Sequence, residues 1–139
     1  MGNLGRVAII ANPAAQNGAA AAVAERFEGM LCGRVDDDAC RMVFTDFAGH
    51  AADLAASEGA RCDTVVAVGG DGLVHEVVNG LMRLDPGQRP ALAVVPMGSG
   101  NDYALTLGMS HDIGKALEQI LACNVRRFDV GCVNGEYFA

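Results

Sequence analysis

Short apolar runs alternate along this chain with longer segments in which apolar residues recur every three or four positions. A continuous apolar run is typical of a buried strand, and the three-to-four spacing is typical of a helix with one apolar face. The runs predict strands at residues 6–11, 41–44, 64–68, 91–95 and 125–133. The periodic segments predict helices at residues 18–31, 50–58, 73–83, 101–107 and 113–123.

The order of these elements predicts the fold class. Buried strands that alternate with helices are typical of a parallel sheet covered by helices on both faces. We therefore predict an α/β fold of three layers, αβα, around a mostly parallel, Rossmann-like sheet. The last strand departs from this order, because Asn134-Gly135 is a hairpin signal that leads into Tyr137-Phe138-Ala139.

Turn-forming residues follow each of the first four predicted strands. They are Asn12-Pro13, Thr45, the glycine-rich residues 69–72 and the glycine-rich residues 98–100. The carboxyl ends of parallel strands lie at one edge of a sheet, and ligands bind beyond that edge. We therefore expect the four turns to converge.

The turn Gly69-Gly70-Asp71-Gly72 is the most informative of the four. Glycines let backbone N–H groups come close to a ligand, and the helix that follows favours an anion at its N-terminus. A carboxylate in such a place needs a metal ion, a hydroxyl to orient or a helix to cap. The alternative is a purely structural turn in which Asp71 is the N-cap of that helix.

A second turn of small residues, P-M-G-S-G-N-D, occupies residues 96–102. Ser99 could donate its hydroxyl to a phosphate oxygen, whereas Asn101 or Asp102 could simply cap the next helix. Two glycine turns after adjacent strands favour a ligand that carries phosphate.

Four further polar residues near these turns have two interpretations each. Asn12 either fixes the first turn through its own backbone or donates its amide to a ligand, and the sequence favours neither. Thr45 follows the strand where a nucleotide base or ribose commonly lies in such folds, although alone it would be a cap or turn residue. For Glu76 and Asn79, opposite the apolar face of their helix, holding the loop is favoured over contacting a ligand.

Composition excludes several classes of function. The 139 residues fit one domain, and the net charge of −7 disfavours binding to nucleic acid. The five cysteines form no C-x-x-C pair, which favours reduced, mostly buried thiols over a disulfide or metal site. No secretory signal or membrane span is present, so we expect a cytoplasmic protein. The P-loop and G-x-S-x-G motifs are absent.

Three motifs together resemble a known family. The glycine turn continues into H-E-V-V-N-G-L at residues 75–81, P-M-G-S-G-N-D-Y spans residues 96–103, and Asn12-Pro13 ends the first strand. Their order and spacing resemble the diacylglycerol kinase catalytic domain, a family that includes sphingosine, ceramide and bacterial lipid kinases. G-G-D-G alone is shared with phosphofructokinases and NAD kinases, and the resemblance implies the fold of their N-terminal domain.

The resemblance implies ATP with Mg²⁺ as ligands and transfer of the γ-phosphate to a lipid hydroxyl, that of diacylglycerol or similar. Asp71 matches the motif carboxylate and is expected to be catalytic as a partner of metal and phosphates, not as the general base. The metal ligands themselves are not identified. The positions that match nucleotide contacts of the family are Asn12, Thr45, Gly69, Gly70, Asp71, Gly72, Leu73, Val74, His75, Gly98 and Ser99.

The chain departs from the family at three of these turns. Leu73 stands where threonine is usual, and loss of that hydroxyl could weaken a phosphate or metal contact. Ser99 stands where threonine is also common, and it keeps the hydroxyl. Gln16 stands where a glycine is often found.

The resemblance also implies a second domain. We expect residues 1–125 to form the ATP-binding domain and residues 126–139, with Phe128-Asp129-Val130-Gly131, to begin a β-rich lipid-binding domain. That domain would supply the general base, so we expect residues 1–139 alone to bind nucleotide weakly and to show little kinase activity.

At its natural length, we expect the protein to contact the inner face of the membrane transiently. In residues 1–139 alone, an apolar patch left uncovered by the missing domain would favour a homodimer. Two alternatives remain open: a kinase of a soluble acceptor, similar to NAD kinase, and a nucleotide-binding module without catalysis.

Overall fold

Strands and helices alternate in the structure as the apolar pattern predicts. The computed structural model describes residues 4–97, 102–122, 125, 127 and 130–138. The strands are β1 (Val7–Ala11), β2 (Cys40–Phe44), β3 (Thr64–Gly69), β4 (Ala91–Pro96), β5 (Gly131–Val133) and β6 (Glu136–Phe138). The α-helices are α1 (Ala19–Cys32), α2 (His50–Gly59), α3 (Asp71–Leu81), α4 (Asp102–Leu107) and α5 (Ile113–Leu121). Short 3₁₀ turns lie at Ala15–Gly18, Asp37–Ala39 and Pro86–Gln88.

The central sheet of the described residues is parallel, in the order β2-β1-β3-β4. Ala11 lies opposite Phe44 on one side and Val68 on the other, and Gly69 lies opposite Pro96. The strands therefore end at one level, and the carboxyl edge of the sheet is nearly straight.

Helices cover both faces of this sheet, which confirms the predicted αβα layers. The adjacent residues Ile9 and Ile10 of β1 are both fully buried, yet they belong to opposite cores because strand side chains alternate between faces. The core around Ile9 includes α1 and α5, for example Phe27 and Leu117. The core around Ile10 includes α2, α3 and the one buried residue of α4, Ala104.

The helix after the glycine turn begins earlier than predicted. α3 starts at Asp71 instead of residue 73, because Gly70 takes the extended N-cap conformation with φ −98° and ψ −169°. Asp71 and Gly72 consequently belong to the first helical turn and not to the loop before it.

The C-terminal hairpin is confirmed, although its first strand is shorter than the predicted 125–133. β5 and β6 pair antiparallel from Gly131 opposite Phe138 to Val133 opposite Glu136, so the pairing covers three residues on each strand. The turn has positive φ at both Asn134 (51°) and Gly135 (81°), as a two-residue hairpin requires. The expected domain boundary at residue 125 stays a prediction, and Phe128, Asp129 and Ala139 lie outside the described residues.

The prediction of mostly buried cysteines is wrong for the four that the structure describes. Cys32, Cys40 and Cys62 are half-buried and not in disulfides, and Cys132 is exposed on the small hairpin. Burial raises the pKa of Cys62 to about 11, so this thiol stays protonated at neutral pH. Cys123 lies outside the described residues.

None of the helices in the described part of the chain has the length and hydropathy needed to cross a bilayer.

Gly80 sets the close approach of α2 and α3. A Cβ atom at this position would collide with the carbonyl oxygen of Ala52 and would lie 2.8 Å from the Cβ of Ala55, both on α2. The two helices therefore pack backbone to backbone, and this contact fixes the position of α3 and of Asp71 at its start.

We expect Gly80→Ala to lower the free energy of unfolding by about 1–3 kcal/mol, because α2 and α3 must separate to admit the methyl group. Gly29→Ala in α1 is the matched control, since a Cβ there meets nothing within 4 Å. It should raise stability by up to about 1 kcal/mol through helix propensity. Urea unfolding followed by circular dichroism measures both, and equal stability of Gly80→Ala and wild type would contradict the packing argument.

Candidate functional site

The carboxyl edge of the sheet brings three of the predicted turns together. Asn12, Thr45 and Gly70 follow β1, β2 and β3 directly, and Met97 follows β4. The strand ends are hydrogen-bonded to one another, because Thr45 N–H donates to the Ala11 carbonyl at 2.9 Å and Met97 N–H donates to the Gly69 carbonyl at 3.2 Å. The fourth predicted turn, with Gly98, Ser99, Gly100 and Asn101, lies outside the described residues, between Met97 and α4.

Asn12 fixes the first turn through the backbone, as one of its two interpretations proposes. Its Oδ1 accepts the N–H of Ala14 at 3.0 Å, and its carbonyl accepts the N–H of Ala15 at 3.2 Å. Asn12 is exposed at the sheet edge, so a ligand can also reach it there. The two roles are therefore compatible.

The first turn continues through backbone that favours glycine. Gln16 and Asn17 have φ of 54° and 56°, and Gly18 follows at 90°. Left-handed backbone costs a residue with a side chain roughly 1–2 kcal/mol. This accounts for the glycine that the family often has at the position of Gln16.

The start of α3 has backbone N–H groups without an acceptor in their own helix. Val74 is the first residue of α3 whose N–H donates to a carbonyl one turn earlier, that of Gly70, at 3.1 Å. The N–H groups of the three preceding helical residues have no intrahelical partner, as at any helix start. At Gly72, which is exposed, an added Cβ would meet nothing within 4 Å, so a ligand can approach the backbone there.

The two residues after Gly72 have apolar side chains that pack inward. Val74 is 1% exposed in the core between α2 and α3, so only its backbone could face a ligand. Leu73 lies over Gly69, where an added Cβ would come within 2.7 Å of the leucine Cδ2. The residue that replaces the family's threonine thus supports the turn by apolar contact.

Asp71 connects the glycine turn to the helix after β4. Its Oδ2 accepts the N–H of Asp102 at 2.9 Å, and its Oδ1 accepts the N–H of Tyr103 at 3.0 Å. The alternative that Asp71 caps its own helix is wrong, because Gly70 occupies that position. The carboxylate instead caps α4, whose first N–H groups lack partners within their own helix.

The other face of α3 holds the C-terminal hairpin. Asn79 pairs with both backbone groups of Tyr137: its Nδ2 donates to the carbonyl at 3.1 Å, and its Oδ1 accepts the N–H at 2.8 Å. Nδ2 also donates to the His75 carbonyl at 2.9 Å. Asn79 therefore has a structural role, as predicted, but it holds the hairpin and not the glycine loop.

His75 and Glu76, the other polar residues of this helical segment, differ in their contacts. His75 Nε2 lies 2.6 Å from Glu136 Oε1, so the imidazole that was predicted to contact nucleotide faces the hairpin. Glu76 is half-buried and has no hydrogen bond or ion pair with any residue that the structure describes. A structural role for Glu76 stays a prediction.

The sequence as a whole matches the diacylglycerol kinase catalytic domain over residues 6–133. The chain belongs to this family. A diacylglycerol kinase of Bacillus subtilis is 48% identical over 77 residues, which cover 55% of this chain and 25% of that protein. A Chromohalobacter salexigens protein named "probable lipid kinase YegS-like" is 47% identical over 74 residues, 53% of this chain and 24% of that protein.

A solved structure shows the family fold over nearly all of this chain. A crystal structure of a diacylglycerol kinase from Bacillus anthracis strain Sterne superposes with a TM-score of 0.87 at 30% identity, over 99% of this chain and 47% of that one. The chain thus spans about half of that structure, and its matched segment spans about a quarter of the curated relatives. The predicted family and fold class are both confirmed.

We expect Asp71→Ala to destabilise α4 by about 1–2 kcal/mol, because two N–H groups lose their acceptor. Hydrogen exchange of the Asp102 and Tyr103 amides should accelerate in this variant. Asp112→Ala is the matched control, since Asp112 caps α5 by accepting the Lys115 N–H at 3.0 Å. The control should accelerate hydrogen exchange at the start of α5 and leave exchange in α4 unchanged. If the α4 amides of Asp71→Ala exchange at the wild-type rate, the capping role of Asp71 is refuted.

We expect Asn79→Ala to loosen the hairpin, because β6 loses its two hydrogen bonds to the side chain on α3. The Tyr137 amide should exchange faster, while amides in β1 and β3 keep their protection. Asn79→Asp retains the acceptor for the Tyr137 N–H and loses the donor to the Tyr137 carbonyl. The exchange rate of the Tyr137 amide in this variant should therefore lie between those of Asn79→Ala and wild type. Equal exchange at Tyr137 in all three proteins would mean that other contacts hold the hairpin.

Proposed function

We propose that this chain is the nucleotide-binding part of an ATP-dependent lipid kinase, which transfers the γ-phosphate of ATP to the hydroxyl of diacylglycerol or a similar lipid. The observation that carries the proposal is the link between the two glycine turns. In a member of the diacylglycerol kinase catalytic domain family, the Asp71 carboxylate holds α4, and with it the end of the second turn, against the start of α3.

The start of α3 is the proposed site of the triphosphate. Open N–H groups at a helix N-terminus bind phosphate oxygens, and the exposed Gly72 leaves room for them. Gly69 and Gly70 would line the same turn. Gly98 and Ser99 join β4 to the capped end of α4, so we assign them to the phosphates as well. Asn12 and Thr45, at the ends of β1 and β2, are assigned to the nucleoside part.

Asp71 is the proposed protein ligand of Mg²⁺. Among the described residues, no group of three or more His, Cys, Asp or Glu side chains could hold a metal alone. Mg²⁺ bound to a nucleotide needs only one or two carboxylates, because phosphates and water complete its shell. Asp71 is half-buried at the carboxyl edge, and each of its oxygens accepts one N–H and keeps a further lone pair, so it fits this mode.

The proposed reaction depends more on how the protein positions the phosphates and balances their charge than on side chains that form or break bonds. Phosphoryl transfer is accelerated chiefly by aligning the phosphates and neutralising their charge, which is what Mg²⁺ supplies when bound. The α3 N–H groups would orient the phosphates. Asp71 would keep the two turns at a fixed separation, so we assign it to positioning and charge balance and not to proton transfer. Since the acceptor is a lipid, the protein would meet its substrate at the membrane surface.

Calorimetry of the 139-residue chain should detect Mg-ATP binding, and we expect the chain by itself to phosphorylate lipid poorly. The transfer test uses the protein at its natural length with γ-labelled ATP and vesicles that contain diacylglycerol, sphingosine or undecaprenol, with NAD as the soluble acceptor. Label should appear in one of the lipids. Asp71→Asn should lower turnover by about two to three orders of magnitude, whereas Asp112→Asn, a change at another helix cap, should not.

Two outcomes would contradict the proposal. Transfer of label to NAD alone would identify a kinase of a soluble acceptor. Binding of Mg-ATP without transfer to any acceptor, with unchanged affinity in Asp71→Asn, would identify a binding module without catalysis. Robust lipid phosphorylation by residues 1–139 would refute only the expectation that this part is inactive alone.

A further inference from the structure

The loop between β2 and α2 presents an aromatic ring at the same sheet edge as the glycine turn. Phe47 lies two residues after Thr45 and is 61% exposed. Neighbouring Thr45 is itself buried at the end of β2. The chain therefore turns outward immediately after Thr45 and places a large apolar side chain beside the proposed nucleotide site.

The orientation of this ring is fixed by the residues around it. One face of Phe47 stacks on His50, with ring centroids 4.4 Å apart and planes within 10°. The imidazole is held in turn, because its Nδ1 accepts the Asp46 N–H at 2.9 Å. The His50 N–H donates to the Phe47 carbonyl at 3.1 Å, and Gly49 closes the turn with φ of 89°. The outer face of the ring is thus preset before any ligand arrives.

We propose that the outer face of Phe47 stacks on the purine base of the nucleotide, an inference that rests on the proposed function. β2 and β3 have β1 between them, so their ends are separated by roughly 10 Å at ordinary strand spacing. An extended nucleoside triphosphate with its phosphates at α3 bridges such a distance and brings its base to the β2 loop. A preoriented aromatic ring loses little entropy when a base stacks on it.

The surroundings of Phe47 favour a base over a membrane as the occupant. The neighbouring Asp46 carboxylate is 83% exposed, which opposes insertion of this loop into an anionic lipid surface, whereas a purine base carries no charge. The Phe47 ring lies flat on the His50 imidazole, so its outer face suits stacking of another planar ring. A purine base offers a larger π-face for such stacking than a pyrimidine base does.

Phe47→Trp tests the inference directly, because the 139-residue chain contains no other tryptophan. Mg-ATP should quench the indole fluorescence as the base stacks on it, and Mg-tripolyphosphate, which has no base, should not. Gln88→Trp is the matched control: Gln88 is exposed in the turn before β4, at the opposite edge of the sheet. Its fluorescence should not respond to either ligand.

The affinity of Phe47→Ala for Mg-ATP should fall about tenfold, within the range known for stacking of a base on an aromatic side chain. Its affinity for Mg-tripolyphosphate should stay within about twofold of wild type, and Phe47→Tyr should bind Mg-ATP as wild type does.

Wild-type ATP affinity in Phe47→Ala would overturn the inference and leave the proposed function standing. Quenching of Phe47→Trp by vesicles of brominated lipid and not by Mg-ATP would also overturn it, in favour of membrane contact. Failure of the wild-type chain to bind either Mg-ATP or Mg-tripolyphosphate would overturn the proposed function and this inference with it.

Discussion

One carboxylate ties together the ends of two neighbouring strands, and the arrangement of the site depends on it. Asp71 begins the helix after β3 and binds the first N–H groups of the helix after β4. Its negative charge stands beside groups suited to anions because it lies against the positive end of another helix. The backbone contact at Gly80 then fixes the helix that carries Asp71 against α2. The starts of α3 and α4 are therefore joined at the carboxyl edge of the sheet.

The layers and the edge of the sheet could be predicted from the sequence because they follow from local patterns. All five residues of β1 are buried, and a strand buried on both faces has no polar positions to obscure its apolar run. The convergence of Asn12, Thr45 and Gly70 then follows from parallel strands alone. The hairpin was predictable for a similar reason, since Asn134-Gly135 can take the positive φ angles that its turn needs.

The partners of the site residues could not be predicted, because they depend on contacts between distant parts of the chain. Asp71 and Tyr103, whose N–H the carboxylate accepts, are 32 positions apart in the sequence, and His75 and Glu136 are 61 positions apart. The predicted start of α3 was wrong because Gly70 is an N-cap without a capping side chain, and Asp71, the capping candidate that the sequence shows, is already the first helical residue. Phe47 gave no signal, since a lone aromatic residue in a loop has no periodic pattern.

The link at Asp71 also has a consequence for how such sites evolve. The carboxylate binds main-chain N–H groups, which every residue except proline supplies, so the side chains at positions 102 and 103 can change without weakening it. A change of side chain at position 102 or 103 cannot restore the contact once the acid is lost, because these residues take part through main-chain N–H groups. Comparison of many relatives for covarying positions would therefore overlook this contact, although it joins the starts of α3 and α4.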